Sequence, residues 1–412
     1  MALDLTSFDS ALKEHYTNEA VENMVYKDNP FLALVKKYEK FGGKQAPVPL
    51  LYGNPQGRSA TFTQAQARGA VTSSKLEDFV IKRVKDYSIA TIDNETLEAS
   101  KGDANAFMEA ATTEVDGAIH SLTRSLAIAL YRDGFGSIGT VANSGFATTV
   151  LTLAHPGDVT NFEVGQQIVF SESAGGHVLR DSGDFLEVVG VNRSAGTLTT
   201  NANLSGVSGI ATGDHIFVRG DREDSSTPAR LKVSGLDAWL PLVDPTSALF
   251  FGVDRTKDVT RLGGVRHDGS AQPIEEALID LASKVAREGG RPDHCFLSFE
   301  KYAELEKSLG SKVQYVDLKL ENAYVAFRGV IINGPRGSIK CIPDANCPSD
   351  RAYMLQLSTW QLMSLGKAVR VIDTDGLSML RQATADGVEV RYGSYLNLAC
   401  RAPGFNGVVK LS

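Results

Sequence analysis

The sequence of 412 residues predicts an α+β protein built from more than one compact unit. Three patterns carry this prediction. Apolar residues recur at helical spacing over residues 103–131, short strands fill residues 140–221, and residues 346–412 consist mostly of strands. Hydrophobic residues make up 42% of the chain, so a sizeable core is expected.

Residues 1–41 predict an N-terminal helical arm. Phe8, Ala11 and Leu12 lie on one helical face, and Pro30 interrupts the pattern. The pattern continues at a spacing of three or four residues and stops before two glycines; its members are Phe31, Leu34, Val35 and Tyr38. A segment this short is expected to dock on other surfaces and not to fold alone.

Residues 42–93 predict an extended loop shaped as a long β-hairpin. Pro47, Pro49 and Pro55 exclude this stretch from the middle of a sheet, whereas residues 79–84 alternate with the period of a strand. An isolated hairpin is marginally stable in water, and this one has little apolar content. We therefore expect it to lie on another chain.

Residues 94–139 contain the strongest predicted helix. The apolar face runs over residues 103–131, Asp103 is a plausible N-cap, and Gly134 and Gly136 end the pattern. Such a helix is roughly 43 Å long at 1.5 Å per residue. No helical pattern of similar length occurs elsewhere, so a beam across a flat subunit is favoured over a helical bundle.

Residues 140–221 predict an inserted β-barrel-like domain. Four short strands lie between glycine-, serine- and asparagine-rich turns, and the stretches "EVGQQIVF" and "ATGDHIFV" lead into strands in the same way. Glycine-rich segments flank the block on both sides. We interpret this repetition as a small closed barrel inserted between two parts of the main fold.

Residues 222–345 return to an α/β pattern, and residues 346–412 are the closing strands. Pro273 lies near the start of a predicted helix over residues 272–288, and Ser298 is the expected N-cap of a second helix over residues 299–309. The predicted strands that follow are "FRGVIIN", "SIKCIPD", "AYMLQL", "AVRVID" and "YLNLACRA".

The glycine motif "GFGSIG" at Gly134–Gly139 matches the spacing of a dinucleotide-binding loop. That chemistry requires a strand before the motif and a helix after it, so that the helix N-terminus faces the pyrophosphate. Here the motif follows a predicted helix and precedes β-structure. The sequence therefore predicts a flexible junction and no cofactor.

The other candidate sites lack the residues that their chemistry needs. Adjacent strand residues point to opposite faces, so His294 and Cys295 would not converge. Cys341 and Cys347 flank a turn without two further metal ligands, and residues 373–376 lack the later carboxylates of a calcium loop. Glu275 and Glu276 suit the start of a helix. We predict no catalytic, cofactor-binding or metal-binding residues.

Composition narrows the functional classes further. The net charge is −7, and the densest basic group, Lys82, Arg83 and Lys85, is interrupted by Asp86, which argues against a phosphate-gripping surface. The four cysteines form no disulfide framework, and residues 1–16 lack the pattern of a signal peptide. No apolar stretch is long enough to predict a membrane span.

The order of these segments resembles the major capsid proteins of tailed bacteriophages, the HK97-fold family. The resemblance rests on the arm, the extended loop, the long helix, the strand–helix unit "CFLSFEKYAELEKSL" and the closing region from "WQLMSLGKAVRVID" to "YLNLACRAPGFNGVVKL". It covers most of the chain outside the insertion. It implies a spine helix and long sheet in a peripheral domain, and an axial domain containing the helices at 272–288 and 299–309.

The resemblance also implies a function, that of a major capsid protein. Such a chain self-assembles into pentamers and hexamers, forms an icosahedral head around double-stranded DNA, and is assembled in the host cytoplasm. A separate scaffolding protein, a portal and a decoration protein are the implied partners. The alternatives are an encapsulin-type compartment, a hydrolase or transferase with an appended β-domain, and a tail or baseplate protein.

Overall fold

The computed structural model describes residues 28–93, 104–310, 315–319, 326–373, 379–382 and 386–412. The α-helices in these ranges are α1 (Pro30–Leu34), α2 (Phe62–Gly69), α3 (Ala104–Ala129), α4 (Leu236–Trp239), α5 (Val259–Gly263), α6 (Ile274–Arg287) and α7 (Phe299–Leu309). Most of the predicted arm, residues 1–27, lies outside the described residues.

The strands distribute over the whole described chain. They are β1 (Lys36–Tyr38), β2 (Gln45–Gly53), β3 (Lys75–Lys82), β4 (Val84–Asp93), β5 (Ser137–Thr140), β6 (Val150–Thr152), β7 (Gln167–Ser171), β8 (Leu186–Asn192), β9 (Thr197–Thr200), β10 (His215–Val218), β11 (Val265–Asp268), β12 (His294–Leu297), β13 (Tyr315–Lys319), β14 (Ala326–Gly334), β15 (Gly337–Pro343), β16 (Arg351–Leu355), β17 (Trp360–Ser364), β18 (Arg370–Val371), β19 (Met379–Arg381), β20 (Gly387–Cys400) and β21 (Gly407–Lys410). The protein is therefore a mixed α/β structure.

The first sheet is organised around the 14-residue strand β20. Strand β4 lies antiparallel along one side of β20, and β17, β18 and β19 pair antiparallel with β20 as well. Helix α3, 26 residues long, packs on β4 and β20 through a buried face that includes Val115, Ile119 and Leu122. The predicted long helix over 103–131 is confirmed for Ala104–Ala129, and its expected N-cap, Asp103, lies outside the described residues.

One expectation for the arm is wrong. The apolar spacing predicted a helix through Tyr38, but α1 ends at Leu34, and Val35 is already extended. Residues Lys36–Tyr38 form β1, which pairs in parallel with Gln361–Met363 of β17. The backbone hydrogen bonds offered by the neighbouring strand outweigh a helical propensity that is weak over so few residues.

The second sheet occupies residues 137–218 and has its own core. Its six antiparallel strands run in the order β5-β10-β7-β8-β9-β6. Phe162, Phe170 and Leu198 are among its fully buried side chains. Hydrogen bonds also bring the two edges together, since the Ala142 amide donates to the Thr152 carbonyl over 2.8 Å and the Ala154 amide to the Thr140 carbonyl over 2.9 Å.

The third sheet has seven strands in the order β11-β21-β16-β12-β15-β14-β13. Helices α6 and α7 pack against this sheet, and the predictions of helices over 272–288 and 299–309 are confirmed. The Ser298 hydroxyl accepts a hydrogen bond from the Lys301 amide over 3.3 Å, as expected of an N-cap. Strand β21 lies between β11 and β16, so Val408 and Val409 are fully buried.

The segment around α1 is anchored to the body by the buried carboxyl of Asp344. Its Oδ2 accepts hydrogen bonds from the Tyr131 hydroxyl at 2.8 Å and from the Phe31 amide at 3.3 Å. The Phe31 ring also packs on Tyr131 and Phe296. Burial raises the pKa of the Asp344 carboxyl, and the hydrogen bonds to its charged form oppose this shift only in part.

This raised pKa makes the anchor sensitive to pH. Because the folded protein holds the Asp344 proton more tightly than the unfolded chain does, the contribution of this group to stability is greatest below the unfolded pKa of about 3.9 and falls as the pH rises through the raised folded pKa. We predict that the unfolding free energy of the wild type, minus that of Asp344→Asn, decreases over this pH window in urea titrations. A difference that is flat or rises with pH would contradict the assignment.

Candidate functional site

Strands β2 and β3 form a two-stranded sheet that projects as a hairpin. The pairing runs antiparallel from Gln45 opposite Lys82 to Gly53 opposite Lys75. Pro47 and Pro49 are tolerated because β2 has a strand partner on one side only. The connection, residues 54–74, contains α2, which the sequence pattern did not reveal. We call residues 54–74 the hairpin tip.

The inner face of the hairpin packs on its own chain. Side chains of Val48, Leu50, Phe79 and Ile81 are buried. The Phe79 ring meets the indole of Trp239 at 5.0 Å between centroids and the ring of Phe250 at 6.2 Å. The expectation that the hairpin finds its support only on another chain is therefore wrong for this face.

Polar contacts reinforce the inner face. The Val80 amide donates to the Phe251 carbonyl over 2.9 Å, and the Arg261 guanidinium donates to the Tyr52 carbonyl over 2.5 Å. Lys257 and Glu77 form an exposed ion pair at the same seam. A hydrogen bond with Glu77 raises the pKa of the Lys257 ammonium, although exposed pairs of this kind contribute little to stability.

The outer face of the hairpin carries an apolar patch that is open to solvent and is interrupted by the exposed Asp78 opposite Pro49. Leu51 and Leu76 are directly opposite each other in the register, and 54% and 60% of their surfaces are exposed. Pro47 and Pro49 are exposed beside them, and Val80 is half-buried. We call these residues the outer hairpin face; its members are Pro47, Pro49, Leu51, Leu76 and Val80.

The hairpin tip extends this apolar surface. Phe62, the first residue of α2, is 81% exposed, and Val71 is 82% exposed. The residues of α2 for which burial is described have no buried side chain. Clustered exposed apolar side chains on a soluble protein mark an interaction site. The arrangement can hold a protein surface by hydrophobic contact.

The glycine motif lies at a junction, as predicted. It follows α3 and leads into β5, and Gly134 and Gly136 both adopt the left-handed backbone, with φ of 89° and 91°. A Cβ at Gly136 would lie 2.9 Å from the Asp221 carbonyl oxygen. These glycines allow a close crossing of two backbone segments.

The cysteines are free and buried. Cys295 and Cys341 are register partners on the parallel strands β12 and β15, whereas His294 is only partly buried. A hydrogen bond with Cys295, together with burial, raises the pKa of the Cys341 thiol. Burial also raises the pKa of the Cys347 thiol. Protonated thiols are poor nucleophiles and poor metal ligands.

The remaining candidates have no convergent site around them. Glu275 and Glu276 lie in the first turn of α6, where they favour the helix dipole. Most of the stretch 373–376 lies outside the described residues. In the described ranges, no cluster of histidine, cysteine and acidic side chains has the geometry of a metal site. None of the helices in these ranges is long and apolar enough to cross a bilayer.

Comparison with known proteins finds a match to one family of capsid proteins. The family model of the SU10 major capsid protein matches residues 214–394. This match confirms the predicted resemblance to bacteriophage major capsid proteins over that part of the chain. No curated protein matches the chain.

Several solved shell proteins match the chain at low sequence identity, with TM-scores below 0.5. The capsid of cyanophage A-1(L) is 11% identical, with a TM-score of 0.48, and the similarity covers 93% of this chain and 92% of that one. The SrpI encapsulin of Synechococcus elongatus is 9% identical, with a TM-score of 0.44 and coverage of 92% and 86%. Mycobacterium phage Bobi gives 8% identity, a TM-score of 0.41 and coverage of 100% and 99%.

The two hairpin faces should respond differently to substitution. Phe79→Ala removes a fully buried aromatic ring, so we expect a loss of about 3–5 kcal/mol of unfolding free energy. Leu76→Ser removes an exposed side chain and should change stability by less than about 0.5 kcal/mol. Urea denaturation of the isolated subunit measures both. Equal losses would show that the outer hairpin face is also covered by its own chain.

Proposed function

We propose that this chain, part of which matches a major capsid protein family, self-assembles into pentamers and hexamers that build an icosahedral phage head around double-stranded DNA. The observation that carries the proposal is the hairpin with two apolar faces. Its own chain buries one face, and the other keeps Leu51 and Leu76 in water. Copies of the same chain supply a cover for this surface at every position in a symmetric shell.

The proposal assigns a task to each segment. Residues 1–41 are the N-terminal arm, and 42–93 the extended loop that overlaps a neighbouring subunit. Residues 94–139 carry the spine helix of the peripheral domain. Strands β17 to β20 of the closing segment 346–412 complete that domain, whereas β16 and β21 of the same segment lie in the third sheet. Residues 222–345 form mainly the axial domain. The hydrogen bonds that join both edges of the second sheet support an inserted barrel at residues 140–221.

The free energy gained by burying the outer hairpin face is small for one contact, so it fits a contact that is repeated many times. Complete burial of one leucine contributes about 1.5–3 kcal/mol. A contact built on two leucines and two prolines is too weak to hold an isolated pair of subunits against the entropy of association. It becomes sufficient when each subunit makes several such contacts in a closed shell, while misplaced subunits still dissociate.

The charge of the chain suits a container more than a nucleic-acid-binding protein. A net charge of −7 gives no driving force for a tight phosphate grip. DNA would then be confined by the closed wall. We propose a scaffolding protein, a portal and a decoration protein as partners during assembly in the host cytoplasm, with the virion as the final location.

Assembly should fail when the outer hairpin face becomes polar. We predict that the double variant Leu51→Ser/Leu76→Ser folds like the wild type but forms no shells under conditions in which the wild type does, because the repeated contact loses its apolar area. Circular dichroism checks the fold, and negative-stain microscopy with and without the scaffolding partner checks assembly.

A matched control is Lys75→Ser on the same strand, which changes an exposed side chain next to Leu76 and leaves both leucines in place. This variant should assemble. Normal shells from the double variant would overturn the role of the hairpin. Particles from the native host that protect a protein cargo, and no nuclease-resistant DNA, would identify an encapsulin-type compartment instead.

A further inference from the structure

The ammonium of Lys232 lies where three separate parts of the chain meet. The residue is only 8% exposed. Its Nζ lies 2.8 Å from Asp86 Oδ2 and 3.1 Å from Asp221 Oδ2, and it donates to the Ser125 hydroxyl over 2.7 Å. The Ser125 hydroxyl in turn donates to Asp86 Oδ2 over 2.7 Å. We call these four residues the Lys232 joint.

Each member of the joint belongs to a different structural unit. Asp86 lies at the start of β4, directly after the hairpin strand β3. Ser125 belongs to α3, and Asp221 follows β10, the last strand of the second sheet. One side chain therefore bridges the root of the hairpin, the long helix and the exit of the inserted sheet.

The backbone beside Lys232 is tied to the same place. The Lys232 amide donates to the Gly134 carbonyl over 3.1 Å, at the entry to the second sheet. The Ser234 amide donates to Asn397 Oδ1 over 3.0 Å, and Asn397 Nδ2 donates to the Lys82 carbonyl over 2.8 Å. Residues 232–234 thus contact both ends of the insertion and, through Asn397, the last residue of β3.

A cleft of about 660 Å³ separates these units next to the joint. All four members of the joint line it, together with residues of α3 and of the second sheet. Burial alone would lower the pKa of the Lys232 ammonium, but Asp221 and Asp86 together raise it above its ordinary value. The bridge therefore stays charged, and it crosses a gap that apolar packing does not fill.

We propose that the Lys232 joint couples the inserted sheet to the long helix and to the start of β4, directly after the hairpin, so that β4 and the exit of the second sheet hold each other in place. This inference goes beyond the shell function, because it concerns an isolated subunit. A charged hydrogen-bonded bridge between two units beside a cleft is strong enough to hold them in one arrangement, and it is local enough to be released without unfolding either core.

Hydrogen exchange of the isolated full-length subunit tests the coupling. Lys232→Met keeps the aliphatic stem and removes the charge, leaving two carboxylates facing each other. We expect amide exchange to become about tenfold faster in both residues 84–93 and residues 219–224, which are more than a hundred positions apart. Lys232→Arg should restore most of the protection in both segments.

Two further variants keep the test decisive. Ser125→Ala removes one hydroxyl and no charge, so it should fold and should speed exchange in the same two segments by a smaller factor of about three. Arg193→Gln breaks an exposed ion pair inside the insertion and should leave residues 84–93 unchanged. Faster exchange in only one of the two segments, or in neither, would overturn the coupling, whatever the outcome of assembly assays.

Discussion

The packing of Phe79 and Ile81 into the body of the subunit is the contact on which the account depends. A two-stranded hairpin is marginally stable in water, yet this one is held rigid because one face joins a core containing Trp239 and Phe250. Side chains alternate along a strand, so the pairing that buries this face also presents Leu51 and Leu76 on the other. Intrachain packing thus fixes the surface that we propose as the contact between chains.

The remaining architecture keeps that surface in place. Strand β4 continues from the hairpin into the first sheet, where it pairs with β20 along ten positions. Strand β21 lies in the interior of the third sheet, between β11 and β16. This position explains why the residues near the end of the sequence are as apolar as those of a core strand. The second sheet has its own core and connects to the hairpin root through Lys232.

Much of this was predictable from local pattern. Helices α3, α6 and α7 follow their apolar periodicity, and Ser298 and Gly310 cap α7, because capping and amphipathicity are encoded within a few residues. The strand at 36–38 was not predictable, since its hydrogen-bond partner is more than 300 residues away. The packing of Phe79 on Trp239 was not predictable either, because the two residues are far apart in the sequence. The aromatic stretch "LFFGV" did indicate an apolar surface on which other residues could pack. Helix α2 has no buried face among its described side chains, so it offers no periodicity to detect.

The central claim is that the outer hairpin face becomes buried between copies of this chain. A cryo-electron microscopy map of assembled particles tests it most directly. The account predicts that Leu51 and Leu76 lie within about 4.5 Å of apolar side chains of a neighbouring subunit at every quasi-equivalent position. A map in which these two leucines remain in solvent, with the hairpin touching only its own subunit, would contradict the account.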